Sequence, residues 1–207
     1  CIIGEQEYIA SENSPDARSA APGGQLGISV AAGDINGDGF SDIVMGAWRA
    51  SPEGRSSAGK VYVLFGSKEL SSRGCIDLQQ TSSGTLVING RAPGDCLGFG
   101  VGAGDMNGDG YDEILAGAWF ARSNSGEVNI IMGSADIASG GSVDLSLNQP
   151  GVVKVIGARE SDFTGAVIST GDVDGDGITD MLACAHGGDT PGGSNAGKVY
   201  VVFGSRD

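Results

Sequence analysis

Three acidic loops recur along the chain with a single spacing of oxygen-bearing residues. They read Asp34-Ile-Asn36-Gly-Asp38-Gly-Phe40-Ser-Asp42, Asp105-Met-Asn107-Gly-Asp109-Gly-Tyr111-Asp112-Glu113 and Asp172-Val-Asp174-Gly-Asp176-Gly-Ile178-Thr-Asp180. They start 71 and then 67 residues apart. One such loop would be a hint. Three in register make the chain a structural repeat and attach the chemistry of the loop to that repeat.

Each unit carries the same short apolar segments around its loop. A first strand is expected over Leu26–Gly33, Leu97–Gly104 and Thr164–Gly171, a second over Ile43–Trp48, Ile114–Trp119 and Met181–His186, and a third over Lys60–Gly66, Glu127–Gly133 and Lys198–Gly204. These runs are bounded by glycine, rich in β-branched and aromatic residues and too short for helices. A fourth strand is expected at Leu86–Gly90 and Lys154–Gly157, after connections that repeat Ile76-Asp77-Leu78 and Val143-Asp144-Leu145. Four short strands in about 70 residues describe the blade of a β-propeller with long loops. The expected fold is therefore all-β: one region over 1–207 built of three four-stranded blades. The repeats lie at approximately 1–66, 86–133 and 154–204, with connecting segments 67–85 and 134–153.

The repeat starts out of phase. Cys1-Ile-Ile-Gly4 resembles the fourth-strand segments, and the chain closes on a third strand, Lys198–Gly204. Three blades are fewer than the four to eight of closed propellers. Complementary strand edges recruit partners. The first and last strands are expected to pair outside this chain, with a further copy of it or with the rest of a longer polypeptide. The start at Cys1, without an initiator Met, is expected of a processed chain or a piece of one.

The loop chemistry selects a hard divalent cation. Calcium takes six to eight oxygens. Positions one, three, five and nine supply side chains: Asp34, Asn36, Asp38 and Asp42; Asp105, Asn107, Asp109 and Glu113; Asp172, Asp174, Asp176 and Asp180. Position seven supplies a main-chain carbonyl from Phe40, Tyr111 and Ile178. Glycine at position six permits the sharp reversal. The loops contain no histidine or cysteine, which disfavours zinc and copper, and magnesium demands a stricter octahedron. An EF-hand needs a glutamate at position twelve between helices, whereas Met45, Ala116 and Ala183 stand there in strands. Three calcium sites are expected. The third loop has four carboxylates against three in each of the others, and should bind most tightly. Ten of the 26 acidic residues sit at these positions, and three divalent ions would move the net charge from −14 to −8.

The same charge argues against nucleic-acid binding, which needs clustered Lys and Arg. No apolar run approaches the length of a transmembrane helix. Four cysteines, Cys1, Cys75, Cys96 and Cys184, allow two disulfides in three pairings, which spacing leaves open. Cys184 stands in an apolar strand where the other units have Gly46 and Gly117, and reads as a buried free thiol.

These units resemble FG-GAP repeats, the blades of the integrin α-subunit propeller and of many secreted microbial proteins. The resemblance rests on Leu26-Gly27 and Leu97-Gly98, on the Gly-Asp-x-Asn/Asp-Gly-Asp-Gly loops and on the Gly-Ala pairs at 46–47 and 117–118, and it covers residues 20 to 205. It implies an extracellular or cell-surface, calcium-bearing β-propeller for adhesion or protein interaction, closer to the microbial type. The chain departs from the motif where Trp48, Trp119 and His186 replace its proline, where Phe163-Thr-Gly replaces Leu-Gly, and at Cys184.

The loops joining strands two and three lie on the face opposite the metal loops, and the resemblance implies that ligands meet that side. Trp48, Trp119 and His186 are thus candidate partner contacts, and equally candidate caps of the layers between blades. The polar segment from Glu5 to Gln25 is a further candidate contact loop. The function expected is a calcium-stabilised interaction module with a protein partner. The alternatives are a structural subunit assembling through its terminal strands into rings, filaments or a coat, and an accessory domain of a secreted hydrolase or lyase. An enzyme is not expected: there is one histidine and no Gly-x-Ser-x-Gly elbow.

Overall fold

The computed structural model describes residues 2–3, 23–72, 76–78 and 84–206. In chain order the strands are β1 (Ile2–Ile3), β2 (Val30–Gly33), β3 (Asp42–Ala47), β4 (Lys60–Leu64), β5 (Ile76–Asp77), β6 (Thr85–Asn89), β7 (Leu97–Gly104), β8 (Glu113–Ala118), β9 (Glu127–Ile131), β10 (Gly141–Asp144), β11 (Val152–Ile156), β12 (Ile168–Gly171), β13 (Asp180–Ala185) and β14 (Lys198–Val202). They form three antiparallel meanders: β2-β3-β4-β6, β7-β8-β9-β11 and β12-β13-β14. These are the blades of a partial β-propeller, and each acidic loop is the turn between a blade's first two strands.

The first strand is shorter than its apolar pattern suggests in two blades. Leu26–Ser29 lies outside β2, and Thr164–Val167 lies outside β12. In the second blade the strand is continuous but its register shifts between Leu97 and Val101. The cause is common to all three: Gly27, Gly98 and Gly165 have φ of 86°, 84° and 89°, a left-handed conformation that interrupts a β ladder.

The Asp-Leu connections contribute strands of their own. β10 leaves the second blade and pairs in parallel with β6, the outer strand of the first, at Val143↔Ile88 and Asp144↔Asn89. β5 pairs in parallel with β1, at Ile2↔Ile76 and Ile3↔Asp77. The motif therefore ties the second blade to the outer strand of the first, and the first blade to β1.

Three apolar layers hold the blades. Alternate residues of each strand face opposite ways, so β4 turns Val61 and Val63 toward the second blade and Tyr62 and Leu64 away from it. Val44, Val61, Val63, Leu86 and Ile88 meet Val101, Ala103, Ile114, Ala116 and Ile131 in the layer between the first two blades. Leu115, Val128 and Ile130 meet Met181, Ala183, Ile168 and Val202 between the second and third. A third cluster, with Met45, Tyr62, Leu64 and Leu78, lies on the far side of the first blade. Burying one such side chain fully contributes about 1.5–3 kcal/mol, so these layers supply the bulk of the favourable energy.

Near the axis the strands approach closely. A Cβ at Gly46 would overlap the Gly98 carbonyl oxygen, and one at Gly117 would overlap that of Gly165. Cys184, the third member of this set, is half-buried and free; Cys96 is buried and free. Cys1 and Cys75 fall outside the described residues, as does most of the segment from Glu5 to Gln25.

Candidate metal centre

Each acidic loop is drawn into a ring by its own carboxylates. In the first, Asp34 accepts the Asp38 N–H through Oδ1 at 3.0 Å and the Gly39 N–H through Oδ2 at 2.8 Å. Asn36 Oδ1 accepts the Asp38 N–H at 3.0 Å, and Asp38 Oδ1 accepts the Phe40 N–H at 2.9 Å. The second loop repeats this: Asp105 holds the Gly108, Asp109 and Gly110 amides, Asn107 holds Asp109, and Asp109 holds Tyr111. In the third, Asp172 holds Gly175 and Gly177, Asp174 holds Asp176, and Asp176 holds Ile178. In the third loop the side chains at positions one, three and five converge on one point; in the first two, the side chains at positions three and five are joined directly, Asn36 to Asp38 and Asn107 to Asp109. Glycines at positions four and six supply the left-handed turns that wrap the chain in every loop, with φ between 71° and 91°.

The donor set fits a calcium ion. In the third loop Asp172, Asp174 and Asp176 are exposed and offer oxygens within 4.8 Å of one another. Two carboxylates about 5 Å apart repel by roughly 3 kcal/mol at an effective dielectric near 20. The side-chain ion pairs Arg55–Asp144, Arg91–Asp95, Arg122–Glu127 and Lys198–Asp162 all lie elsewhere. In the first two loops Asn36 and Asn107 donate to Asp38 and Asp109 at 3.1 and 3.0 Å, which relieves that repulsion internally. The third loop has a carboxylate, Asp174, at that position.

Position nine behaves differently from the other ligand positions. Asp42, Glu113 and Asp180 are 0%, 0% and 1% exposed. Each spends one oxygen on the N–H of loop position two and the other on the glycine after the third strand. Asp42 holds Ile35 at 2.9 Å and Gly66 at 2.8 Å. Glu113 holds Met106 at 2.7 Å and Gly133 at 3.4 Å. Asp180 holds Val173 at 2.7 Å and Gly204 at 2.9 Å. Burial pushes the Asp42 and Glu113 carboxyls up, Glu113 to about 6, against the lowering effect of these amides. The closing carboxylate is therefore a staple between the loop and the third strand, and each oxygen retains a lone pair for an ion. Its occurrence at position nine was legible in the sequence; its tie to the third strand was not.

Position eight links neighbouring loops, a role that the repeat pattern alone did not suggest. Asp112 accepts the Asp34 N–H, and Thr179 donates its main-chain N–H to the Asp105 carbonyl at 2.9 Å. The signal available was a polar residue at this position in every loop: Ser41, Asp112 and Thr179.

Trp48, Trp119 and His186 stand one residue past β3, β8 and β13, at the end of the blades away from the metal loops. Trp48 and Trp119 are half-buried and His186 is exposed. They join an aromatic row that crosses all three blades. Trp48 meets Phe99 edge-on at 5.5 Å between ring centres, and Phe99 stacks on Trp119 at 4.4 Å. Trp119 lies 5.8 Å from Phe163, which stacks on His186 at 5.0 Å. Trp48 Nε1 donates to Gln25, and Arg49 sits 4.5 Å over the Trp48 ring. The row bridges blades; its Trp and Phe rings are half-buried, and His186 at its end is exposed.

The FG-GAP repeat profile matches residues 26–64, 97–129 and 164–202, one match per blade. Among curated proteins, the phosphatidylinositol-glycan-specific phospholipase D of Rattus norvegicus is 27% identical over 201 residues, 96% of this chain and 23% of that protein. Integrin alpha-V of Gallus gallus is 31% identical over 186 residues, 86% of this chain and 15% of its own length. Integrin alpha pat-2 of Caenorhabditis briggsae is 31% identical over 165 residues, 79% of this chain and 11% of its own. The chain spans less than a quarter of the length of each.

Proposed function

The chain belongs to the FG-GAP repeat family, and on that premise we propose that it is an extracellular, calcium-stabilised β-propeller module that binds a protein partner. One observation carries the calcium: Asp172, Asp174 and Asp176 of the third loop bring three carboxylates together, and none of them is in a side-chain ion pair among the described residues. The first two loops repeat the same amide-holding pattern. Each ion would be held by positions one, three and five, with the carbonyl at seven and the remaining lone pairs at nine. It would neutralise the loop and lock the turn between the first two strands of each blade. The integrin alpha relatives support an adhesion role. No helix among the described residues is long and apolar enough to cross a membrane.

The phospholipase D relatives favour no hydrolase reading for this chain, since they are matched over a quarter of their length or less. The described aspartates of the loops are committed to main-chain amides and to the ion position, and the one histidine, His186, stacks on Phe163.

Calorimetric titration of calcium into the chelator-stripped chain tests the reading. We expect binding at three sites and a rise in melting temperature of many degrees, with magnesium far less effective. Absence of heat, or a melting temperature indifferent to calcium, would remove the metal role. Turnover of phosphodiester or glycoside substrates above blank would overturn the binding-module assignment.

A further inference from the structure

Asn-Gly pairs occur at Asn36-Gly37, Asn89-Gly90 and Asn107-Gly108. Such a pair has a chemistry of its own. The glycine nitrogen, unhindered by a Cβ, can attack the asparagine side-chain carbonyl carbon and expel ammonia. The step needs room and a backbone able to turn, so local opening of the fold decides which pair reacts.

Asn89 and Gly90 are locked in sheet. Asn89 stands at the end of β6 between Lys60 of β4 and Asp144 of β10. Its carbonyl accepts the Leu145 N–H at 3.0 Å, and the Gly90 N–H donates to the Gly59 carbonyl at 2.9 Å. Gly90 is buried, and a Cβ there would overlap the Ala58 carbonyl oxygen.

Asn36 and Gly37 are covered by the second blade. Asn36 is 8% exposed. The Tyr111 ring lies against Gly37, and two hydrogen bonds from Asp112 hold the Asp34 peptide. This loop opens only by parting from both residues.

Asn107 and Gly108 have neither restraint. Asn107 is half-buried and Gly108 is exposed. What lies beside Gly108 is the stem of Arg206, an exposed and flexible side chain, in place of a ring. Thr179 donates its main-chain N–H to the Asp105 carbonyl, without the carboxylate bond that Asp112 adds in the first loop. The Gly108 N–H is also polarised by Asp105 Oδ1 at 2.7 Å, whereas the Gly37 N–H has no acceptor among the described residues. The bonds from the asparagine side chain to the residue at position five are shared by both loops and do not distinguish them.

We infer that Asn107 is a modification site, at which the chain deamidates to aspartate and isoaspartate. The Gly108 nitrogen loses its proton to water and bonds to Asn107 Cγ. The Cγ–Nδ2 bond breaks, and that nitrogen leaves as ammonia. One water then opens the succinimide ring, so the net change is uptake of water and release of ammonia. Opening at one carbonyl leaves aspartate, with the main chain intact. Opening at the other leaves isoaspartate, with the main chain rerouted through Cβ. The products act oppositely on the loop. Aspartate gives the second loop the four carboxylates of the third. Isoaspartate adds a methylene to the main chain between positions three and four and displaces the oxygens at position five. The choice of Asn107 is independent of the calcium reading. Only the effect of the ion rests on that reading: an ion held by Asn107 Oδ1 would keep the loop closed and slow the step.

Peptide mapping by mass spectrometry tests this on the folded chain during prolonged incubation at mildly alkaline pH, in calcium and in chelator. A sample unfolded in urea is the reference, and enzymatic methylation of isoaspartate separates the two products. All three pairs should convert at similar rates in urea. In the folded chain Asn107 should convert about tenfold or more faster than Asn36 or Asn89, the factor that one bond of the Asp112 kind supplies. Calcium should slow Asn107. Asn107 leading at one rate in both buffers would sustain the inference while counting against an ion at the second loop. Asn36 or Asn89 keeping pace with Asn107 in the folded chain would overturn it. So would an intact Asn107 beside full conversion in urea.

Discussion

Asp112 holds the Asp34 peptide by both ends: its carboxylate Oδ2 accepts the Asp34 N–H at 2.8 Å, and its own N–H donates to the Asp34 carbonyl at 3.0 Å. The pair spans two blades, and Asp34 is the first ligand position of its loop. The second loop therefore sets the geometry from which the first begins. The neighbouring Tyr111 ring lies against Gly37, where a Cβ would meet ring carbon Cε1 at 2.6 Å, and so covers the first loop as well. At the next junction the equivalent contact is main-chain only, from Thr179 to Asp105.

Truncating Asp112 should then cost more than truncating Thr179. A hydrogen bond to a charged acceptor contributes about 1.5–3 kcal/mol. D112A should lower the unfolding free energy by that amount and weaken calcium at the first loop as well as disturbing the second. D112N retains an acceptor oxygen and should recover part of the loss. T179A should cost under about 1 kcal/mol. Urea unfolding with and without calcium measures all three, and equal effects for D112A and T179A would discount the carboxylate.

Close approach at the axis makes a second expectation. Gly46 and Gly117 have ordinary strand conformations, so alanine there meets no backbone strain of its own. What it meets is a carbonyl of the next blade, which cannot rotate away. G46A and G117A should each destabilise by about 1–3 kcal/mol or more, as overpacking does. G171A, with open space around it, should fall within about 0.5 kcal/mol of wild type. Thermal unfolding of the three variants separates steric from propensity effects, and comparable losses in all three would point to propensity.

The elements that could be read from the chain were those whose signal is local. β3, β8 and β13, and β4, β9 and β14, lie within a residue or two of their apolar runs, because both pattern and pairing are contained in one hairpin. β5 and β10 were visible only as a repeated Asp-Leu motif. Two to four residues carry no periodicity, and their hydrogen-bond partners belong to the outer strand of another blade. The same limit applies to the site. Oxygens at positions one, three and five declare themselves by spacing. The clamp of Asp112 on Asp34 and the tie from Asp42 to Gly66 connect residues 78 and 24 positions apart, and only the stacked blades bring them together. Trp48 and Trp119 were conspicuous as single aromatics. Their stacking with Phe99 and Phe163 depends on how neighbouring blades superpose.

The two described cysteines should differ sharply in reactivity. Cys96 is 4% exposed, and burial together with the adjacent Asp95 charge pushes its thiol up to about 11. Only the thiolate is nucleophilic, so native Cys96 should stay unmodified by iodoacetamide near pH 8 and label only on unfolding. Cys184 is half-buried beside Lys198 and the exposed Val199 and should label in the native chain. Peptide mapping by mass spectrometry reports both sites, and native labelling of Cys96 would show that its surroundings open readily.

The three loops also differ in a way that one substitution can isolate. Loop position three is Asn36, Asn107 and Asp174. In the first two loops the asparagine amide donates to the carboxylate at position five, so part of the charge there is already satisfied without an ion. Asp174 makes no such donation and adds a third carboxylate to the converging set. Bringing in an ion therefore relieves more repulsion in the third loop, at roughly 3 kcal/mol for each carboxylate pair about 5 Å apart. D174N gives the third loop the donor pattern of the other two. It should weaken the tightest calcium site until its affinity merges with theirs, and should raise the stability of the calcium-free chain. Calorimetric titration reads the first effect and melting in chelator reads the second. An unchanged tight site in D174N would place that site in another loop.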